Sequence, residues 1–298
     1  MVLQVSGLSK KYGSLNALSD FNLEVKQGEV WGVLGPNGSG KTTALGILLG
    51  VTLPTSGTYE WFDKPPSAAL RRRIGSLLEQ PNFYPWFSAI RNLQIVAHLR
   101  GTVSLEEIEN KLKLVGLWER RHEAYSKYSL GMKQRLAMAS ALIGEPEVLV
   151  LDEPTNGLDA QAIAEVRETI LAVSRSGKTI LMASHILDEV EKICSHVLIL
   201  QKGKAIAKGT ISEVLAAENT FEFAADDMEA LRKVLEQFSG CRNLRIVGQH
   251  YVADFDEKFT SAQLNKFMFD HGIYLNHLAR QSHGLESQFL KLLGDNRD

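Results

Sequence analysis

Gly35-Pro36-Asn37-Gly38-Ser39-Gly40-Lys41-Thr42, GPNGSGKT, is the stretch around which the rest of this chain is organised. It fits the phosphate-loop pattern G-x-x-x-x-G-K-[ST]. Gly35, Gly38 and Gly40 let the backbone turn tightly and bring its N–H groups close to phosphate oxygens. Thr42, Thr43, Ala44 and Leu45 then begin a helix, whose N-terminus favours negative charge. Lys41 is placed to reach the β- and γ-phosphates, and the Thr42 hydroxyl to ligate Mg²⁺. The setting agrees with the pattern. Glu29 to Leu34 (EVWGVL) is a strand-like run before the loop, and Ala44 to Leu49 is a helix-like run after it. A bare glycine turn has no need of the full pattern in that setting. The loop therefore implies a nucleotide, and leaves open what the nucleotide is for.

Composition narrows the class. The chain has 298 residues, with 44% apolar and 23% charged content, which predicts a large globular domain with a smaller companion. A formal net charge of −2 argues against nucleic-acid binding through gross positive charge, and no direct nucleic-acid partner is expected. Cys194 and Cys241 are far apart and lack metal-ligand spacing, so a reducing compartment and no disulfide framework are expected. His98, His122, His250, His271, His277 and His283 likewise show no metal-ligand spacing. Met1 to Gly7 lacks a basic start followed by an apolar run, so no signal peptide is expected. No stretch of about eighteen apolar residues occurs, so no membrane span is expected. A cytoplasmic protein follows, which would reach a membrane only through a partner.

Val2 to Leu8 and Ala17 to Val25 read as strands, separated by a turn at Lys10 to Gly13. Short strands follow at Thr58 to Phe62 and Ile74 to Leu78, with Arg71 to Arg73 as a solvated face between them. An aromatic connector, Phe83 to Phe87, opens a helical block. Ser88 caps one helix there, and Ser104 with Glu107 has capping-box spacing. Glu147 to Leu151 (EVLVL) reads as a buried parallel strand. Helices and strands then alternate to Leu200, predicting a mostly parallel, helix-flanked sheet. Past about residue 215 the order becomes β-α-β-β-α-β, the ferredoxin-like pattern, with a last helix at Leu285 to Leu293. The expected domains are 1–215, with a helical subdomain at about 83–144, and a small α+β domain at 216–298.

The apolar run ending in Asp152 and Glu153 is the second chemical motif. After a phosphate loop, an Asp at a strand end holds Mg²⁺, and the adjacent Glu can polarise an attacking water. Tyr128-Ser129-Leu130-Gly131-Met132, followed by basic residues, resembles the LSGGQ signature loop of ABC ATPases. It keeps Ser129 and Gly131, and departs at Tyr128, Leu130 and Met132. Asn156 to Asp159 resembles that family's D-loop, Ala183 to His185 its switch-histidine segment, and Tyr12 its adenine-stacking aromatic. The resemblance covers about residues 2–215, in the family's order. The YSLGMKQRL signature is similar to that of bacitracin- and lantibiotic-type exporters, and Leu285 to Leu290 to the ending of ABC-2-type exporter ATPases.

The resemblance implies an α/β phosphate-loop ATPase with an N-terminal antiparallel part and an inserted helical subdomain. It implies two copies, or a paired ATPase subunit, closing on MgATP. The Tyr128 to Met132 loop of each would then meet the nucleotide held by the other. It implies that Lys41, Glu153 and His185 do the chemistry, that Asp159 faces the opposite protomer, and that Thr42 and Asp152 hold Mg²⁺. It further implies a separate transmembrane permease, so that the subunit lies peripherally at the inner membrane face. Glu79 stands where the family has a Mg²⁺-sensing Gln; Gln80, one residue later, is the alternative. The Phe83 to Phe87 aromatics are either a socket for the permease or ordinary core. The competing functions are a non-transport ABC ATPase acting on ribosomes or nucleic acid, and a binder that holds ATP without turnover.

Overall fold

In the computed structural model, residues 1–78, 82–101, 104–215, 219–255, 259–280 and Phe289 are described. Two compact units form, one built on Met1–Ile211 and the other within Ser212–Lys291.

The first unit opens with β1 (Leu3–Tyr12) and β2 (Leu15–Val25), an antiparallel pair. β1 is longer than expected. Lys10 and Lys11 belong to the strand rather than the turn, and Tyr12 sits at its end. Next come β3 (Val30–Leu34), α1 (Lys41–Leu48), β4 (Ser56–Trp61), the one-turn α2 (Ala68–Arg71) and β5 (Ile74–Leu77). α3 (Ala89–Arg100), α4 (Leu105–Leu114) and α5 (Leu130–Leu142) make the helical block. β6 (Val148–Asp152), α6 (Ala160–Arg175), β7 (Thr179–Ser184), α7 (Leu187–Ile193), β8 (His196–Gln201) and β9 (Lys204–Thr210) complete the unit.

β3, β6 and β7 are buried at every position, as strands of a parallel sheet covered on both faces must be. The sheet order is β5-β6-β7-β3-β8-β9, parallel except for β9. A second sheet, β2-β1-β4, is antiparallel. Its Trp61 is buried in the common core and donates its indole N–H to Leu48 O at 2.8 Å.

Local signals explain most boundaries. Ser88 accepts the Arg91 N–H and starts α3. Ser104 accepts the Glu107 N–H, but the expected capping box is half formed. The Glu107 carboxylate accepts the Gly144 N–H at 2.6 Å instead, tying α4 to the end of α5. Arg73 is not a purely solvated residue: it pairs with Glu147 and lies 3.6 Å from the centre of the Phe62 ring.

In the second unit, α8 (Ile211–Leu215) leads to β10 (Asn219–Ala225), α9 (Met228–Gln237), β11 (Cys241–Val247), β12 (His250–Phe255), α10 (Ser261–Asp270) and β13 (Leu275–Arg280). The sheet order β11-β12-β10-β13, antiparallel throughout, is the ferredoxin-like arrangement. Phe221 and Phe223 are fully buried in a core with Leu231, Leu235, Leu264 and Met268 of the two helices. By strand alternation Glu222 and Ala224 point to the other face. The expected last helix lies outside the described residues apart from Phe289, which is buried. Among the described residues no helix is long and apolar enough to cross a membrane.

Candidate nucleotide site

Parallel strands deliver their following loops to one edge of a sheet, and ligands bind there. β3 lies between β7 and β8, and β7 lies beside β6. The loop after β3 (GPNGSGKT), Glu153 after β6 and His185 after β7 are therefore neighbours, although far apart in sequence. A cleft of 470 Å³ opens at this edge, lined by Tyr12, Leu15 to Ala17, Asn37 to Thr43, Glu153 and Lys202. A larger cavity of 530 Å³, at Lys26, Arg73 and Lys178, lies by residues that precede β3, β6 and β7, at the edge away from the motifs.

The loop has the features of a phosphate cradle. Gly40 has φ 106°, and a Cβ there would stand 2.5 Å from Ala17 O, so no other residue fits. α1 begins with no side chain capping its first N–H groups, which leaves them for an anion. The Ser39 hydroxyl is buried and makes no hydrogen bond, a costly arrangement unless a ligand completes it. Thr42 is exposed at the start of α1, with Thr43 half-buried beside it. These groups fit a nucleotide triphosphate.

Lys41 is only 6% exposed, and its Nζ donates to Gly35 O at 2.8 Å and lies 3.3 Å from Pro36 O. The same Nζ stands 3.2 Å from Glu153 Oε1. Glu153 leaves β6 in the left-handed region, φ 48°, and its N–H donates to Ala183 O at 3.0 Å. That conformation is uncommon for a residue with a Cβ. Its Oε2 meets His185 Nδ1 at 2.7 Å and the His185 N–H at 3.3 Å. The 2.7 Å contact fixes the orientation of the His185 ring and leaves its Nε2 on the other side. Asp152 is buried at the end of β6. Tyr12, 48% exposed, stands at the cleft with Lys10 Nζ 4.9 Å from its ring centre.

The signature-like loop is built differently. None of Tyr128 to Met132 lines the cleft. Ser129 caps α5 by accepting the Met132 N–H at 3.3 Å. Gly131 is required, because a Cβ there would come within 2.6 Å of Ala162 Cβ on α6. Tyr128 is buried and donates its hydroxyl to Arg120 O at 2.8 Å. The Met132 sulfur accepts from Arg120 Nη1. Leu130, 44% exposed, presents its side chain outward at the first position of the helix. Asp159 caps α6, with Oδ1 accepting the Ala162 N–H at 2.8 Å. Glu79 and Gln80 lie outside the described residues.

Sequence reasoning missed Asn16 and Lys202 at the cleft. Lys202 sits on the turn joining β8 to β9, and β9 was not foreseen. The one usable signal was a Lys-Gly turn following an apolar strand.

A sheet with its phosphate loop at a strand switch, an acid and a histidine on the next two strands, and a helical insert carrying a capped Ser-x-Gly loop defines a nucleotide-driven cassette. The chain belongs to the ABC transporter family, as an ATP-binding and ATP-hydrolysing subunit, and the family profile matches residues 18–156. It is 36% identical over 299 residues to the bacitracin transport ATP-binding protein BcrA of Enterococcus faecalis, covering 98% of this chain and 96% of that one. It is 35% identical over 298 residues to BcrA of Bacillus licheniformis, covering 98% and 97%. Among solved structures it is similar to cbiO1 of Clostridium perfringens, part of the ABC transporter complex cbiONQ. There the TM-score is 0.66 at 30% identity, covering 80% of this chain and 95% of that one.

Proposed function

We propose that this chain is the ATPase subunit of an ABC-2-type exporter and drives a separate transmembrane permease from the inner face of the membrane. Two copies, or one copy and a paired ATPase subunit, close on two ATP molecules, hydrolyse them and reopen. The observation that carries this reading is the position of Glu153 between Lys41 and His185 at the mouth of the phosphate-loop cleft.

The chemistry is mainly positioning and electrostatics. Lys41 and the free N–H groups at the start of α1 bind phosphate, and the Ser39 hydroxyl completes its hydrogen bonding there. Tyr12 stacks on the base. Thr42 and Asp152 are the residues that would hold Mg²⁺, which supplies charge neutralisation at the phosphates; Glu79, or Gln80, is the further candidate. Glu153 accepts a proton from the attacking water, and His185, fixed by its Nδ1 hydrogen bond, orients that water or the γ-phosphate. In the closed pair, Ser129 and the backbone near Gly131 reach the nucleotide held by the other copy, and Asp159 faces that copy.

The permease-facing surface is the aromatic connector. Asn92, buried on α3, holds it with its side-chain amide. Nδ2 donates to Tyr84 O, Phe87 O and Ser88 O, and Oδ1 accepts the Tyr84 N–H at 3.0 Å. The loop held in this way presents Trp86, 70% exposed, and Tyr84 to solvent. Phe83 and Tyr84 border a 380 Å³ groove with Ile95, Val96 and Leu99 of α3. An apolar socket of that kind suits a helical projection of a partner.

Glu153→Gln is the test. Phosphate release should fall by about two to four orders of magnitude, while ATP binding persists and the variant remains trapped as a nucleotide-bound pair. Hydrolysis near the wild-type rate would remove Glu153 from the base role. Recovery on ribosomes, rather than with a polytopic membrane protein, would remove the exporter reading.

A further inference from the structure

Three side chains that the sequence scatters meet on the face of the C-terminal sheet opposite its phenylalanine core. His250 begins β12, His277 lies in β13, and β10 runs between them. Ala224 of β10 pairs with His277, and it follows Phe223, which pairs with Tyr251, the neighbour of His250. The two histidines therefore flank Ala224 on one face. A methyl group leaves room above it, and the imidazoles meet there with ring centres 4.3 Å apart and planes 20° from parallel. Glu222, two residues before Ala224, points to the same face. Its Oε2 lies 3.4 Å from His277 Nε2. One ligand atom from each of Glu222, His250 and His277 falls within 4.8 Å of the other two, and all three residues are half-buried.

We propose that Glu222, His250 and His277 form a binding site for a single divalent transition-metal ion of the zinc class. Two imidazoles and a carboxylate, with no thiolate, are the ligand set that suits Zn²⁺ and its borderline neighbours. A tetrahedral ion at ordinary bond lengths of about 2.0–2.2 Å has its ligand atoms about 3.4 Å apart. The Glu222–His277 pair already has that separation, and the His250 ligand atom lies within 4.8 Å of both. Three adjacent hydrogen-bonded strands fix the Cα positions, so little order is lost on binding. Partial exposure gives the ion a way in, and the fourth position is left to water. Asp254, on the same face, accepts from Thr220, Asn243 and Arg245. An ion here would staple edge strand β13 to β12 across β10.

The site lies within the C-terminal unit and the nucleotide cleft within the first, and its test does not use ATP. Full-length protein is titrated with ZnCl₂ in chelator-free buffer by calorimetry. The expected result is one saturable site per chain, weakened at least roughly tenfold in His250→Ala, His277→Gln and Glu222→Gln, and unchanged in a His98→Ala control. Replacing zinc with Co²⁺ should give visible absorption that both histidine variants lose. Should a variant not fold, the His250 and His277 ring-proton resonances of the wild type decide, since both must shift together with the zinc titration. Absence of saturation, binding equal in the histidine variants, or static ring resonances would each overturn the proposal.

Discussion

The parallel sheet of the ATPase unit and the antiparallel sheet of the C-terminal unit place polar side chains by opposite rules. In the ATPase unit the central strands β3, β6 and β7 are buried on both faces, so chemistry has room only beyond their ends. Lys41, Glu153 and His185 are all residues that follow a strand. In the C-terminal unit the sheet is antiparallel, and only one face carries the phenylalanine core. Polar groups there stand along the strands on the other face, as the Thr220–Asp254–Arg245 and Glu222–His250–His277 sets do. A site at strand ends is written in short continuous motifs. A site on a sheet face is written in register, and register is a long-range property.

The sharpest way to break this contrast is to unpack one unit and watch the other. Phe223→Ala removes a fully buried ring and should cost about 3–5 kcal/mol in a denaturant transition of the C-terminal unit. ATP hydrolysis should stay within about twofold if the units are separate domains. A parallel loss of hydrolysis would mean that the two units fold or act as one.

A smaller effect tests the helical block. Gly131→Ala sets a methyl against Ala162, and overpacking of that kind should cost about 1–3 kcal/mol by urea unfolding. Hydrolysis should fall further than stability, because the cap of α5 shifts with its first turn. Unchanged stability would show that α5 and α6 do not meet so closely in solution.

The smallest effect is alkaline. Burial, with Glu123 adding to it, pushes the Tyr128 phenol up to about 12 from an ordinary value of 10. A raised acid stabilises the folded state fully below its unfolded value, and that contribution is lost as pH climbs from about 10 to about 12. The denaturation midpoint should fall across that window, and by less in Tyr128→Phe. Identical pH profiles would show that the phenol is not shielded.

Legibility in the sequence follows the same contrast. GPNGSGKT, Asp152–Glu153 and His185 were readable because each sits where an apolar run stops. The order of elements in the C-terminal unit was readable too, from alternation of apolar residues. β9 was not, because Lys204–Thr210 (KAIAKGT) is a polar strand at the sheet edge without a buried stripe, and Lys202 was lost with it. The His250–His277 pair was invisible for a deeper reason. The residues are separated by a helix and meet only across Ala224, a contact no spacing rule encodes. Tyr128 and Met132, which look like departures from a motif, are buried supports of the loop. Leu130 alone among the departures faces outward.

The contact between Lys41 and Glu153 has one further consequence. Lys41 and Glu153, 3.2 Å apart, offset one another's charge. On the mechanism proposed above, an arriving triphosphate competes for that lysine and in doing so releases the acid. The enzyme is then armed by its own fuel: its base is withheld until the bond it is to break is in place. On that mechanism part of the attraction between lysine and phosphate is spent on this exchange.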